Sequence, residues 1–118
     1  MASEGYHEPL DLLDPATMDR HRAIQSLAEE LEAIDWYAQR VDAAQDPELR
    51  AILQHNRDDE KEHAAMLLEW IRRHHAVFEQ QLRTFLFRDG PIVGGLRAGN
   101  GSSPASRTSV GSLREVKT

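Results

Sequence analysis

Two Asp-Pro pairs constrain most strongly what this chain can fold into. They are Asp14-Pro15 and Asp46-Pro47. An aspartate followed by proline is a typical helix start, because the carboxylate caps free backbone N–H groups and proline fits the first helical position. After each pair, apolar residues recur at alternating steps of three and four, which is the spacing of one helix face. The pattern predicts two long helices, up to about Ala44 and about His74 or His75, joined by a very short turn.

The apolar stripe of the second predicted helix is polar at its middle. Its inward positions are Leu49, Leu53, Asn56, Glu60, His63, Leu67 and Trp70. A carboxylate and an imidazole buried one turn apart need a compensating partner. Glu-x-x-His is also the spacing with which two helices of a di-iron carboxylate protein supply ligands. The string alone is weak evidence, because Glu4 and His7 repeat it in a segment without helical periodicity.

The first predicted helix carries a glutamate at the level of this pair. In an antiparallel hairpin that turns near Gln45, the side chains of Glu30, Glu60 and His63 would all lie about 22–27 Å from the turn. Glutamate and neutral imidazole suit iron, manganese or zinc. The sequence therefore predicts a metal site formed by these three residues. Tyr37 lies two turns from Glu30 on the same face, where it either fills the core or serves the site.

These ligands make up half of a ferritin-like di-iron site. Such a site takes one Glu from each of two helices and a Glu-x-x-His from each of two others. We therefore expect an all-α fold in which twofold dimerisation completes a four-helix bundle, with both metals at the interface. The burial of apolar side chains also favours dimerisation, because a lone hairpin leaves much of its apolar stripe exposed to solvent. The side chains that need a second hairpin are Ile24, Leu31, Leu53, Leu67 and Trp70.

Composition excludes several classes of function and of metal site. A net charge of -6 argues against nucleic-acid binding, and the absence of cysteine excludes iron–sulfur clusters and cysteine-rich zinc sites. The chain has no apolar run long enough for a membrane span and no signal-peptide core, so a soluble cytoplasmic protein is expected. Glu29 and Glu32 form an acidic ridge that is either a solvated helix face or a path that attracts cations.

Three segments follow from this pattern. Residues 1–13 are predicted to be an N-terminal arm and residues 14–93 a helical domain that includes a third helix over about 76–87. Asp89-Gly90-Pro91 would stop that helix. Residues 94–118 read as a Gly- and Ser-rich flexible tail, whose segment 109–114 holds a small apolar patch.

The chain resembles the encapsulated ferritins from about His7 to Val93. The residues that carry the resemblance are Glu29-Glu30-Leu31-Glu32-Ala33-Ile34-Asp35-Trp36-Tyr37, Asp46-Pro47-Glu48-Leu49 and Asn56-Arg57-Asp58-Asp59-Glu60-Lys61-Glu62-His63-Ala64-Ala65-Met66. The segment Ser109 to Arg114 is similar to the peptide that docks such cargo inside encapsulin shells.

The resemblance implies a ferroxidase that oxidises Fe(II) to Fe(III) with dioxygen at a di-iron centre between two subunits. It assigns the iron ligands to Glu30, Glu60 and His63, with Tyr37 beside the centre. It assigns a secondary cation site, for calcium or another divalent ion, to Glu29 and Glu32. It also implies a ring of dimers, expected to be a decamer, inside a cytoplasmic encapsulin nanocompartment that stores the mineral.

Two other functions stay open at this point. The first is a non-catalytic helical adapter that only docks in a shell. The second is a peroxide-reducing di-metal protein of the rubrerythrin type, since the lack of cysteine removes the usual rubredoxin module without excluding the reaction. Metal analysis tests the first, and comparison of rates with dioxygen and hydrogen peroxide tests the second.

Overall fold

The structure, a computed structural model, describes residues 5–94. It holds a 3-10 turn at Leu10–Leu12 and three α-helices, which we number α1 (Pro15–Ala43), α2 (Pro47–Arg73) and α3 (Ala76–Phe85). Over this range there is no strand, so the all-α prediction is confirmed. The predicted docking segment 109–114 lies outside the described residues. None of the helices within residues 5–94 has both the length and the apolar character needed to cross a membrane.

Helices α1 and α2 form a hairpin around a three-residue turn. Asp46 starts α2 as predicted, because its carboxylate accepts a hydrogen bond from the Leu49 backbone N–H at 2.8 Å. Asp14 precedes α1, but its side chain makes no cap hydrogen bond. The Arg50 guanidinium donates two hydrogen bonds to the carbonyl of Ala44. One side chain of α2 thus satisfies a backbone carbonyl at the end of α1.

The contact between α1 and α2 is made of small and branched side chains. The buried residues are Ala23, Val41, Ala64 and Ile71. Three side chains of the predicted stripes are about half exposed in the single hairpin: Ile24 at 53%, Leu31 at 54% and Leu49 at 47%. A helix turns every 3.6 residues, so a stripe of alternating threes and fours drifts around it. One neighbouring helix covers only part of such a stripe, and the rest stays open.

Compact packing divides the chain at the end of α2, with one unit up to His74 and a second from His75 onward. Helix α2 ends at Arg73 and its cap is His74, at the predicted boundary. In the second unit, α3 spans ten residues and ends before the predicted Asp-Gly-Pro stop. Gly90 in that stop has φ of 87°, a left-handed conformation that glycine adopts without strain.

The stretch before α1 contacts the hairpin at one point. The ring of Tyr6 lies 4.2 Å from the ring of His21. Gly5 lies so close to the same imidazole that a Cβ there would come within 2.6 Å of Cε1. A side chain larger than hydrogen at position 5 would therefore displace the imidazole or the chain itself.

Candidate metal site

Helices α1 and α2 bring three potential metal ligands together at the middle of the hairpin. Nδ1 of His63 lies 3.2 Å from Oε1 of Glu60 and 3.5 Å from Oε1 of Glu30. One ligand atom from each residue falls within 4.8 Å of the others, and this is the one such group of three found across residues 5–94. The spacing of three residues sets Glu60 and His63 on one side of α2, and α1 supplies Glu30 from across the hairpin.

The carboxylate of Glu30 holds an atom that is shielded from solvent. Its Oε1 is buried and has no hydrogen-bond partner within the described residues. The His63 nitrogen at 3.5 Å is close enough for an ion pair but does not complete a hydrogen bond. A buried oxygen without a hydrogen bond costs free energy, and an anionic oxygen costs more. A cation between the three side chains would remove this cost.

The pKa shifts in the group follow from crowding two carboxyl groups against one imidazole. The neighbouring carboxyl group of Glu60, together with burial, raises the pKa of Glu30, and the same interaction lowers the pKa of Glu60. Burial alone would depress the pKa of His63. The hydrogen bond that its protonated ring donates to Glu60, together with the charges of both carboxylates, outweighs the effect of burial and raises that pKa. The three groups therefore compete for protons, which is typical of a site built for a cation.

The group is open on one side. The side chain of His63 is 46% exposed, whereas those of Glu30 and Glu60 are 25% and 23% exposed. At 100° per residue, Ile52 and Met66 lie on the same side of α2 as His63. Both are more than half exposed. Met66, three residues after His63, thus places apolar surface next to the open side of the site, a combination that favours coverage by another protein surface.

The remaining predicted site residues are Glu29, Glu32 and Tyr37. Glu29 and Glu32 are exposed on α1, and the metal-ligand group does not include them. Tyr37 is half-buried, and the guanidinium of Arg40 lies over its ring at 5.3 Å from the centroid. The contact between Arg40 and Tyr37 was not predicted from the sequence. The signal was available, because residues three apart on a helix are neighbours and arginine stacks on aromatic faces.

Comparison with known proteins identifies the family of this arrangement. A family model described as EncFtn-like matches residues 5–89. The chain is 63% identical over 92 residues to a Rhodospirillum rubrum "Encapsulated ferritin-like protein", covering 78% of this chain and 66%, just under two thirds, of that protein. A shorter match of 44 residues, 50% identical, covers 37% of this chain and 34% of the Myxococcus xanthus "Encapsulin nanocompartment cargo protein EncC".

A solved structure supports the fold. The crystal structure of a Nitrosomonas europaea protein is similar with a TM-score of 0.73 at 61% sequence identity. The similarity covers 75% of this chain and 98% of that one. The matched family region includes Glu30, Glu60 and His63. From the sequence match and the helical hairpin together, the chain belongs to the encapsulated ferritin (EncFtn-like) family.

Proposed function

We propose that this chain is a ferroxidase that oxidises Fe(II) to Fe(III) with dioxygen at a di-iron centre shared by two subunits. The observation that carries the proposal is the group of Glu30, Glu60 and His63, in which a buried carboxylate oxygen has no hydrogen bond. Two carboxylates and one imidazole suit iron in both chemistry and number. The iron supplies the redox chemistry, and the chain supplies the ligands, their orientation and the shielding from water.

The division of roles follows from where each side chain lies. Glu60 lies one turn before His63 on α2 and would, with its symmetry mate, supply the carboxylates shared by the two ions. Glu30 and His63 would each complete the coordination of one ion. Since a di-iron site needs two such sets, the proposal requires a second copy of the chain. The half-exposed His63 and the apolar surface beside it support pairing on that side.

Residues outside the group have supporting roles in this proposal. Glu29 and Glu32, exposed on α1, would form a secondary site that attracts Fe(II) or another divalent cation such as calcium. Tyr37 would stand beside the centre of the assembled dimer and hydrogen-bond a ligand or donate an electron. Its ring is held by Arg40, which limits its freedom.

Iron storage belongs to a larger assembly in this proposal. The Myxococcus relative bears the name of an encapsulin cargo protein and the Rhodospirillum relative that of an encapsulated ferritin-like protein. We propose that dimers of this chain form a ring, a decamer, that docks inside a cytoplasmic encapsulin shell through Ser109–Arg114. Oxidised iron would be deposited in the shell, because a two-helix protomer has no storage cavity of its own.

Iron-dependent oxygen consumption tests the proposal. We expect Glu30→Ala and His63→Ala to reduce it to the background rate of Fe(II) alone, because each removes a ligand. Glu48→Gln is the matched control, an exposed glutamate on α2 that lies outside the group, and should keep the wild-type rate. Undiminished turnover in the first two variants would refute the assignment.

The same samples separate the two alternatives. Purified wild-type protein that retains no iron and oxidises none would be a structural adapter. A rate with hydrogen peroxide that far exceeds the rate with dioxygen would favour peroxide reduction. Only iron binding together with dioxygen-dependent oxidation supports a ferroxidase.

A further inference from the structure

Two adjacent histidines form the boundary between α2 and α3, and their hydrogen bonds require opposite tautomers. His74 caps the C-terminus of α2, and His75 caps the N-terminus of α3. Neither belongs to the metal-ligand group. Because an imidazole can be neutral or carry a proton on both ring nitrogens, protonation of either ring would act on the hydrogen bond at its own helix end.

His75 can cap α3 only while its ring is neutral. Nδ1 of its imidazole accepts a hydrogen bond from the backbone N–H of Phe78 at 3.3 Å. An accepting Nδ1 carries no proton, so the neutral ring has its hydrogen on Nε2. Protonation turns Nδ1 into a donor and removes the cap. It also places a positive charge at a helix N-terminus, where the helix dipole disfavours it.

Protonation of His74 would keep its hydrogen bond, in contrast to protonation of His75. Its Nδ1 lies 2.8 Å from the carbonyl oxygen of Trp70, so this nitrogen must donate. The ring stacks on the indole of Trp70, with centroids 3.9 Å apart and planes inclined by 15°. Protonation keeps the Nδ1 donor and adds a positive charge over an aromatic face at a helix C-terminus, where both the ring and the dipole favour it.

The charged side chains around this boundary are largely engaged with one another. On α2, Arg72 and Arg73 both donate to Glu69. On α3, Glu79 accepts a hydrogen bond from Arg83 at 2.6 Å. The carboxylate closest along the chain to His75 is therefore already paired with an arginine. The cap hydrogen bond to Phe78 is the interaction of His75 that its own protonation removes.

We propose that His75 is a pH-dependent N-cap, which starts α3 when neutral and releases its first turn when protonated. Helix α3 carries Phe78 and Leu82 half-buried, with Val77 and Phe85 exposed. Release of the first turn would change how these apolar side chains are presented. The end of α2, which His74 caps, stays formed under the same conditions.

The test measures the two tautomers and the stability of α3 in the full-length protein. Ring-nitrogen NMR of histidine-labelled protein should show Nε2–H for His75 and Nδ1–H for His74. Amide hydrogen-exchange protection over residues 76–85 should fall about fivefold, the usual effect of losing a cap, between about pH 7.5 and about pH 5.5. An Nδ1–H tautomer at His75, or protection that does not change with pH, would overturn the proposal.

Variants distinguish the cap from other titrations. His75→Asp supplies a carboxylate cap that stays ionised over this range, so the protection of α3 should become independent of pH. His75→Ala should lower the protection equally at both pH values. His74→Gln is the control and should keep the wild-type response of α3. A pH response that persists in His75→Asp would assign the effect to another group.

Discussion

Glu29 and Glu30 are neighbours in sequence, yet they lie in opposite environments. Glu29 is exposed on the outer side of α1, whereas Glu30 faces α2 and has a buried oxygen next to a second carboxylate and an imidazole. A step of one residue rotates a helical side chain by 100°, which is enough to carry it from the helix contact to solvent. The contrast teaches that position relative to α2, and not residue type, makes a carboxylate in this hairpin a candidate ligand.

The largest expected effect is on bound iron. Replacing Glu30 by glutamine keeps the shape of the side chain but removes its charge. Losing a residue that only hydrogen-bonds a metal ligand lowers metal affinity by up to about a hundredfold, so we expect the loss of a ligand itself to lower iron affinity by more than that. Glu29→Gln should leave iron at the centre and slow oxidation by a few-fold at most. Iron titration of both variants measures the difference. An equal loss of iron affinity in Glu30→Gln and Glu29→Gln would contradict the distinction between the glutamate that faces α2 and the one that faces solvent.

A second effect concerns assembly. If the centre is completed by a second subunit, Fe(II) should shift the mass distribution towards dimers and larger rings, and a chelator should reverse the shift. At a free metal concentration a hundred times Kd, mass action favours the bound assembly by about 2.7 kcal/mol per site. Native mass spectrometry with and without Fe(II) measures this. Glu30→Ala should weaken the response, while Glu29→Ala should keep it.

The third effect is on the thermal stability of the metal-free protein, where replacing Glu30 should be favourable although it removes a ligand. Because Oε1 of Glu30 is buried without a hydrogen bond, an apolar side chain of similar length should be better tolerated there. We expect Glu30→Met to raise the Tm of metal-free protein by roughly 4 °C. The exposed Glu29→Met should change it little. A lower Tm for Glu30→Met in thermal melts would show that the carboxylate stabilises the fold itself.

The smallest effect is expected at Glu69, a carboxylate with no part in the proposed site. Hydrogen bonds from Arg72 and Arg73 lower its pKa from 4.5 to about 2. A lowered pKa in the folded protein means that the stabilisation is complete above 4.5 and is lost as the pH falls towards 2. Since the side chain of Glu69 is 42% exposed and that of Arg73 66% exposed, solvent screens the pairing, and Glu69→Gln should cost less than about 2 °C in Tm.

Thermal melts between about pH 6 and about pH 3 check this dependence. The difference between wild-type protein and Glu69→Gln should be largest at the upper end and shrink on acidification. A difference that grows as the pH falls would contradict a lowered pKa for Glu69. The contrast between Glu69, whose carboxylate is paired with arginines, and Glu30, whose buried oxygen has no hydrogen bond and could bind a cation, would then no longer hold.

Parts of the fold followed directly from local signals. The Asp46 cap and the proline after it start α2 where predicted, since a cap depends only on residues within one turn. No glycine or proline marks the end of α2, so the sequence leaves the boundary between α2 and α3 open. The imidazole of His75 that caps α3 was not predicted, as histidine is an uncommon cap and its role depends on which ring nitrogen accepts.

The packing stripe shows the limit of sequence periodicity. The pattern marked Ile24 and His63 as inward, while the buried positions are their neighbours Ala23 and Ala64. Both sets fit an amphipathic helix, because positions one residue apart can both lie within a wide apolar face. The choice between them depends on how closely two helices approach. Alanine permits the closer approach, and that advantage exists only when the second helix is present.

The sequence by itself determined the two long helices, their short turn and the level at which Glu30 meets Glu60 and His63, because helix rise and turn length are local and regular. The tertiary structure alone decided which oxygen is buried without a hydrogen bond, which side of His63 stays open and which of the two carboxyl groups has the raised pKa. Those properties depend on distances of a few ångströms between side chains of different helices. Periodicity does not carry that information, since it fixes angles around one helix and not the contacts between two.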